Sequence, residues 1–92
     1  MAIFFDIPAS LRQFCGGSAQ ITLSGPDTMF QALETIGHEY PALFKRIAAP
    51  SGELYEYIGV FVNSDSVAGR SGRVVALNDG DVVTLIPAVA GG

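Results

Sequence analysis

The stretch Gln20-Ile21-Thr22-Leu23-Ser24-Gly25-Pro26-Asp27-Thr28-Met29-Phe30-Gln31 decides the fold, because the spacing of its apolar residues changes halfway along. Ile21 and Leu23 alternate with polar neighbours, the period of two that marks a half-buried strand. Ser24-Gly25-Pro26-Asp27 breaks the strand, and Thr28 followed three residues later by Gln31 has the form of a capping box. Beyond it, Met29, Phe30, Leu33, Ile36 and Tyr40 fall at helical spacing and leave Gln31, Glu34, Thr35, His38 and Glu39 for solvent. The stripe predicts a helix laid across a sheet. Pro41 ends that helix or starts a second short one, since it lacks an amide proton and turns Tyr40 away from helical dihedrals. Leu43, Phe44 and Ile47 then pack beneath it.

Working outward toward the N-terminus, Ala2 to Pro8 alternates so that Ile3, Phe5 and Ile7 share one face and Phe4 and Asp6 the other. Pro8 ends this strand, Ser10 to Phe14 forms a short helical turn or a loop, and Gly16-Gly17-Ser18 turns the chain into Gln20–Ser24. Two strands joined this closely make an antiparallel hairpin. Toward the C-terminus, Ala48 to Glu53 reads as a surface loop and Tyr57 to Asn63 as a strand, with Ile58, Val60 and Val62 inward and Gly59 and Phe61 outward. Asn63-Ser64-Asp65-Ser66 turns the chain, Val67 begins a short edge segment, and Gly69 to Arg73 is a flexible basic loop. Asp79-Gly80 is a hairpin turn that launches the last strand, Val82 to Ile86.

The order β-β-α-β-(β)-β excludes a doubly wound sheet, which needs alternating strands and helices. It predicts an α+β domain with a mixed sheet of about four or five strands and one main helix across one face. A right-handed crossover through that helix, bringing the last strand beside the first, gives a β-grasp, or ubiquitin-like, fold. The domain spans 1–87, and 88–92 is a flexible tail.

With 92 residues there is room for one small core. The chain is 49% hydrophobic, yet no apolar run approaches the roughly 18 residues needed to cross a bilayer, so no membrane partner is expected. Met1 to Asp6 has no basic segment resembling a signal peptide, which makes the cytoplasm the expected compartment. A single cysteine, Cys15, cannot form an internal disulfide or hold a metal by itself. A net charge of −4 argues against nucleic acid and for a partner with a basic or apolar docking face.

The chain stops on Ile86-Pro87-Ala88-Val89-Ala90-Gly91-Gly92, which puts the terminal carboxylate on a thread able to enter a channel too narrow for any Cβ. Pro87 removes a backbone donor, stops the strand and stiffens the root of this thread. Together with Ile7-Pro8-Ala9-Ser10-Leu11-Arg12, Val62-Asn63 and Asn78-Asp79-Gly80-Asp81, the tail resembles the MoaD/ThiS-type sulfur carrier proteins along the whole chain. Within that family the Ile-Pro start, the Gly16-Gly17 pair and the ending look most like the carriers of a cysteine-synthesis route.

The resemblance implies a carrier with no catalytic residue of its own and no bound cofactor. Its Gly92 carboxylate would be adenylated by an ATP-using, E1-like enzyme, converted to a thiocarboxylate, and used by a sulfur-accepting synthase. Val89, Ala90 and Gly91 would thread the partner's channel. A cysteine precursor, a pterin, a thiazole or a siderophore precursor could receive the sulfur. The alternative is a ubiquitin-like modifier whose activated Gly92 is attacked by a lysine of another protein; a binding module with an inert tail is a further reading.

The alternation also places Ile3, Phe5, Ile7, Ile58, Val60, Val62, Val83 and Leu85 toward the helix, leaving Phe4, Phe61, Val82 and Ile86 on the outer sheet face. An apolar patch there, beside the root of the tail, is the expected docking surface for the activating enzyme, the alternative being a face covered by an oligomer or by the chain's own loops. Cys15 reads as a small hydrophobe rather than a sulfur-handling group, His38 as a solvated side chain, and Gly16-Gly17-Ser18 as a turn that lacks the lysine of a phosphate loop. Lys45, Arg46, Arg70 and Arg73 read as a solvated basic face able to steer an acidic partner.

Overall fold

The structure, a computed structural model, describes residues 2–66 and 75–87. β1 (Ala2–Asp6) is followed by a 3₁₀ helix (Ala9–Cys15), β2 (Gln20–Ser24), α1 (Met29–Glu39), α2 (Pro41–Ile47), β3 (Ile58–Val62), β4 (Asp65–Ser66) and β5 (Val82–Pro87). The strands form a sheet in the order β2-β1-β5-β3-β4. β1 and β2 are an antiparallel hairpin, β5 enters parallel to β1, and β3 runs antiparallel to β5. This is the β-grasp arrangement.

All eight residues expected to face the helices are buried, with Ile3, Phe5 and Val83 fully so. From α1 they meet Met29, Leu33 and Ile36, and also Ala32, whose small side chain completes the buried stripe. Phe30 and Tyr40, which the spacing placed in the same stripe, are only half-buried. Burying one such aliphatic or aromatic side chain contributes about 1.5–3 kcal/mol, and among the described residues the core holds no polar or charged side chain.

The cap at α1 is half of the box the sequence suggests. Thr28 Oγ1 accepts the Gln31 amide at 3.2 Å, but Gln31 Oε1 accepts the amide of Asp27, one residue earlier, at 2.6 Å. Pro41 starts a second helix: it occupies the first turn of α2, where a missing amide proton costs nothing, and Leu43 and Ile47 reach the core. Ser10 to Phe14 lies within the 3₁₀ helix, which Gly16 closes in the left-handed conformation.

Several expectations are corrected or refined. β1 ends at Asp6 rather than Pro8, although the Ile7 amide still donates to Ala19. The 48–53 segment is the surface loop expected, drawn into a tight turn: Ala48 is buried and bridges Leu54, and the Ala49 amide donates to the Glu53 carbonyl. Asp79-Gly80 does not join two paired strands. The segment before it instead braces the entrance of α1, with Ala76 bridging Thr28, the Met29 amide donating to Val75, and Leu77 buried. Gly80 does supply the positive φ, at 86°. The turn is then pinned to β1, as Gly80 donates to the Ala2 carbonyl and the Ala2 amide donates to Asp79 Oδ1. Asp65-Ser66, read as part of a turn, forms β4 after a two-residue connection. Val67 and Gly69 to Arg73 lie outside the described residues.

Candidate functional site

Pairing registers fix the outer face of the sheet. Phe4 stands beside Val82 in the parallel pair, Thr84 lies between Asp6 and Phe61, and Ile86 lies opposite Gly59. The four side chains expected to form the patch therefore share one face, with Phe4 and Val82 at one end, Ile86 at the other and Phe61 between. Phe4, Phe61 and Val82 are half-buried by their neighbours, whereas Ile86 is 48% exposed. Gly59 leaves a shallow notch that Ile86 fills closely, since a Cβ added there would meet the Ile86 carbonyl oxygen at 3.3 Å and the Ile86 Cβ at 3.7 Å.

Two members of this face were not singled out from sequence. Thr84 sits in the middle of the four and offers a hydroxyl between Asp6 on one side and Phe61 on the other. Tyr57 is 52% exposed and stacks on Tyr55 at 5.2 Å between ring centroids, and Tyr55 itself packs against the core. Alternation carried back from Phe61 through Gly59 reaches Tyr57, so the signal was present. Its ring is held before any partner arrives, which lowers the entropy lost on binding. Tyr57 precedes Ile58, whose partner is Pro87, so the tyrosine pair stands at the end of the sheet from which the tail departs.

Charge is segregated around this face. Among the described residues the cations Arg12, Lys45 and Arg46 lie on the 3₁₀ helix and α2, away from the outer face. Arg12 Nε donates to the Ile7 carbonyl and Arg46 lies 4.4 Å over the Phe14 ring, joining α2 to the 3₁₀ helix. On the outer face Asp6 stands beside Thr84 and accepts from Gln20 Nε2 at 2.7 Å. Arg70 and Arg73, like Val89, Ala90, Gly91 and Gly92, lie outside the described residues.

The remaining sequence candidates are quiet. Cys15 is buried with its sulfur 3.5 Å from the Arg12 and Ser18 carbonyl oxygens, as suits a small hydrophobe with a weak donor. His38 is exposed on α1. Gly16 and Gly17 both take positive φ, the signature of a turn. Among the described residues no three His, Cys, Asp or Glu side chains converge as metal ligands, and no helix is long and apolar enough to cross a membrane.

Comparisons with known proteins match the chain over its whole length. The chain is 35% identical over 94 residues to the sulfur carrier protein CysO of Mycobacterium tuberculosis, covering all of both chains. It is 33% identical over 85 residues to small archaeal modifier protein 1 of Haloferax volcanii, covering 91% of this chain and 93% of that one. A chain in the crystal structure of the Amycolatopsis orientalis BexX/CysO complex superposes with a TM-score of 0.84 at 28% identity, covering 98% of this chain and 99% of that one. The model of the ThiS family matches residues 5–92, and with whole-length relatives in the same group the chain belongs to the ThiS family.

Proposed function

We propose that this protein is a sulfur carrier whose working group is the Gly92 carboxylate, and that the domain is a handle rather than a catalyst. The observation that carries the reading is the union of a Gly91-Gly92 terminus with an apolar outer face beside the root of the tail. Whole-length similarity to proteins named as sulfur carriers supports it.

A free carboxylate is a poor electrophile because oxide is a poor leaving group. An ATP-using, E1-like partner would join the Gly92 carboxylate to AMP with release of pyrophosphate. Hydrosulfide would then attack the acyl carbon, displace AMP and, on losing its proton, leave a thiocarboxylate, a soft nucleophile suited to attack an activated metabolite in a synthase pocket. The five residues after Pro87 reach at most about 17 Å when extended, so the activating site must lie close to Ile86, Gly59 and Tyr57. No cofactor is needed on the carrier itself, and the chemistry is that of cytoplasmic metabolism. Among acceptors, a cysteine-type route is favoured by the CysO relatives.

Incubation with an E1-like enzyme of this family, ATP and a sulfur donor should give an intact mass gain matching replacement of one oxygen by sulfur. Loss of that gain on deletion of Gly91 and Gly92 is expected. An unchanged mass with a competent enzyme would end the carrier reading.

The second reading, a protein modifier, is favoured by the relatives named small archaeal modifier proteins. It shares every step through adenylation and differs only in the nucleophile. Conjugates through lysine, rather than the sulfur mass gain, would support it. Lys45 is the only lysine of this chain, so chains of self-conjugates have one internal acceptor.

A further inference from the structure

The pairing of β1 with β2 exposes a second surface that the carrier chemistry does not use. Among the described residues β2 is an edge strand, with β1 on one side and no strand on the other. The Ile7 amide donates to the Ala19 carbonyl at 2.8 Å, which sets the phase of the antiparallel ladder. Bonded and non-bonded pairs alternate, so Phe5–Ile21 and Ile3–Leu23 exchange hydrogen bonds while Gln20, Thr22 and Ser24 turn their backbone groups away from β1. Among the described residues nothing pairs with those outward amides and carbonyls.

Sheet edges are ordinarily guarded by charge, proline, a bulge or extreme shortness. β2 has none of these. Its five residues carry no charge and no proline, and its register with β1 is uninterrupted from Gln20 to Ser24. The opposite edge, β4, is two residues long and includes Asp65.

Beside the Ser24 end of β2 runs an open groove of about 420 Å³, lined by Ser24, Asp27, Gln31, Glu34, Thr35 and His38. A strand added to β2 would stand alternate side chains toward this groove. Asp27 and Glu34 are its carboxylates, and Arg12, Lys45 and Arg46 lie elsewhere. A second copy of this chain, with net charge −4 and the same acidic groove, is repelled there.

We propose that the free edge of β2 and the β2/α1 groove form a second docking site that takes an extended, positively charged peptide segment of another protein by strand addition. β1 separates this edge from β5 and β3, so the segment can sit there while the outer face is engaged. The site stands independently of the chemistry at Gly92.

The test uses the full isotope-labelled chain and a blocked peptide of alternating lysine and valine, about seven residues long so that it overlaps all of β2. Added peptide should shift the Gln20, Thr22 and Ser24 amides and slow their exchange, with smaller shifts at Gln31, Glu34 and His38. N-methylation of alternate peptide amides should abolish binding, and replacing its lysines by glutamates should do the same. Glu34→Arg, on the exposed face of α1, should weaken binding by about fivefold or more. Thr22→Pro should prevent binding, because it removes an outward amide and no β1–β2 hydrogen bond. Should Thr22→Pro fail to fold, Glu34→Arg and the N-methylated peptide still decide the matter. Absence of shifts at millimolar peptide, shifts confined to another surface, or indifference to N-methylation would each overturn the proposal. So would self-association through β2, which would make a second copy the occupant.

Discussion

At the scale of single residues, the outer face invites the sharpest test. Phe61 and Ile86 point away from the core, so Phe61→Asp and Ile86→Asp should keep the fold. Each should lower kcat/KM for activation by about tenfold or more, equivalent to about 1.4 kcal/mol, measured by ATP–pyrophosphate exchange with the activating enzyme. Unchanged exchange in both would remove this face from the mechanism. Asn63 supports a different expectation. It holds φ at 57°, its amide donates to the Val82 carbonyl, and its side chain both accepts from the Val82 amide and donates to Asp81. Asn63→Ala should cost about 1–3 kcal/mol in chemical denaturation, and Asn63→Gly should recover only the backbone part. Alternation revealed which side chains of β1, β3 and β5 turn inward, because a one-residue slip would expose every one of them. It could not reveal that Thr84 lies among Phe4, Phe61 and Ile86, since that depends on which strands become neighbours.

At the scale of elements, α1 was legible from its first turn because a threonine cap and an apolar stripe pointed to the same start. Thr28→Ala should lower stability by about 1 kcal/mol and fray that turn, seen as faster amide exchange at Gln31. What local pattern could not give is the brace beneath it. Val75, Ala76 and Leu77 grip residues nearly fifty positions earlier, and nothing in either stretch names the other. The 48–53 segment was legible as a loop but not in its closure, for a related reason. Its Pro50, Ser51 and Gly52 have loop chemistry, yet the bridge from Ala48 to Leu54 folds them into a tight turn. Two bulky partners fix α2 in the same non-local way, with Leu43 and Ile47 in the core and Arg46 over Phe14.

At the scale of the whole molecule, one apolar core is shared by sheet, α1, α2 and the 3₁₀ helix. Ile36→Ala at its centre should cost about 2–5 kcal/mol and lower Tm accordingly, whereas His38→Ala, two residues away and exposed, should leave Tm nearly unchanged. Calorimetry on the pair checks that the stripe and not the helix as such holds the layers together. The parallel pairing of β1 with β5 has another consequence. Ala2 is fastened to the Asp79-Gly80 turn at one pole of the sheet, and Pro87 leaves from the other. A molecule anchored to a solid support through residues ahead of Ala2 would therefore turn the Pro87 pole of its sheet away from the support, like the tip of a bristle, open to proteins in solution.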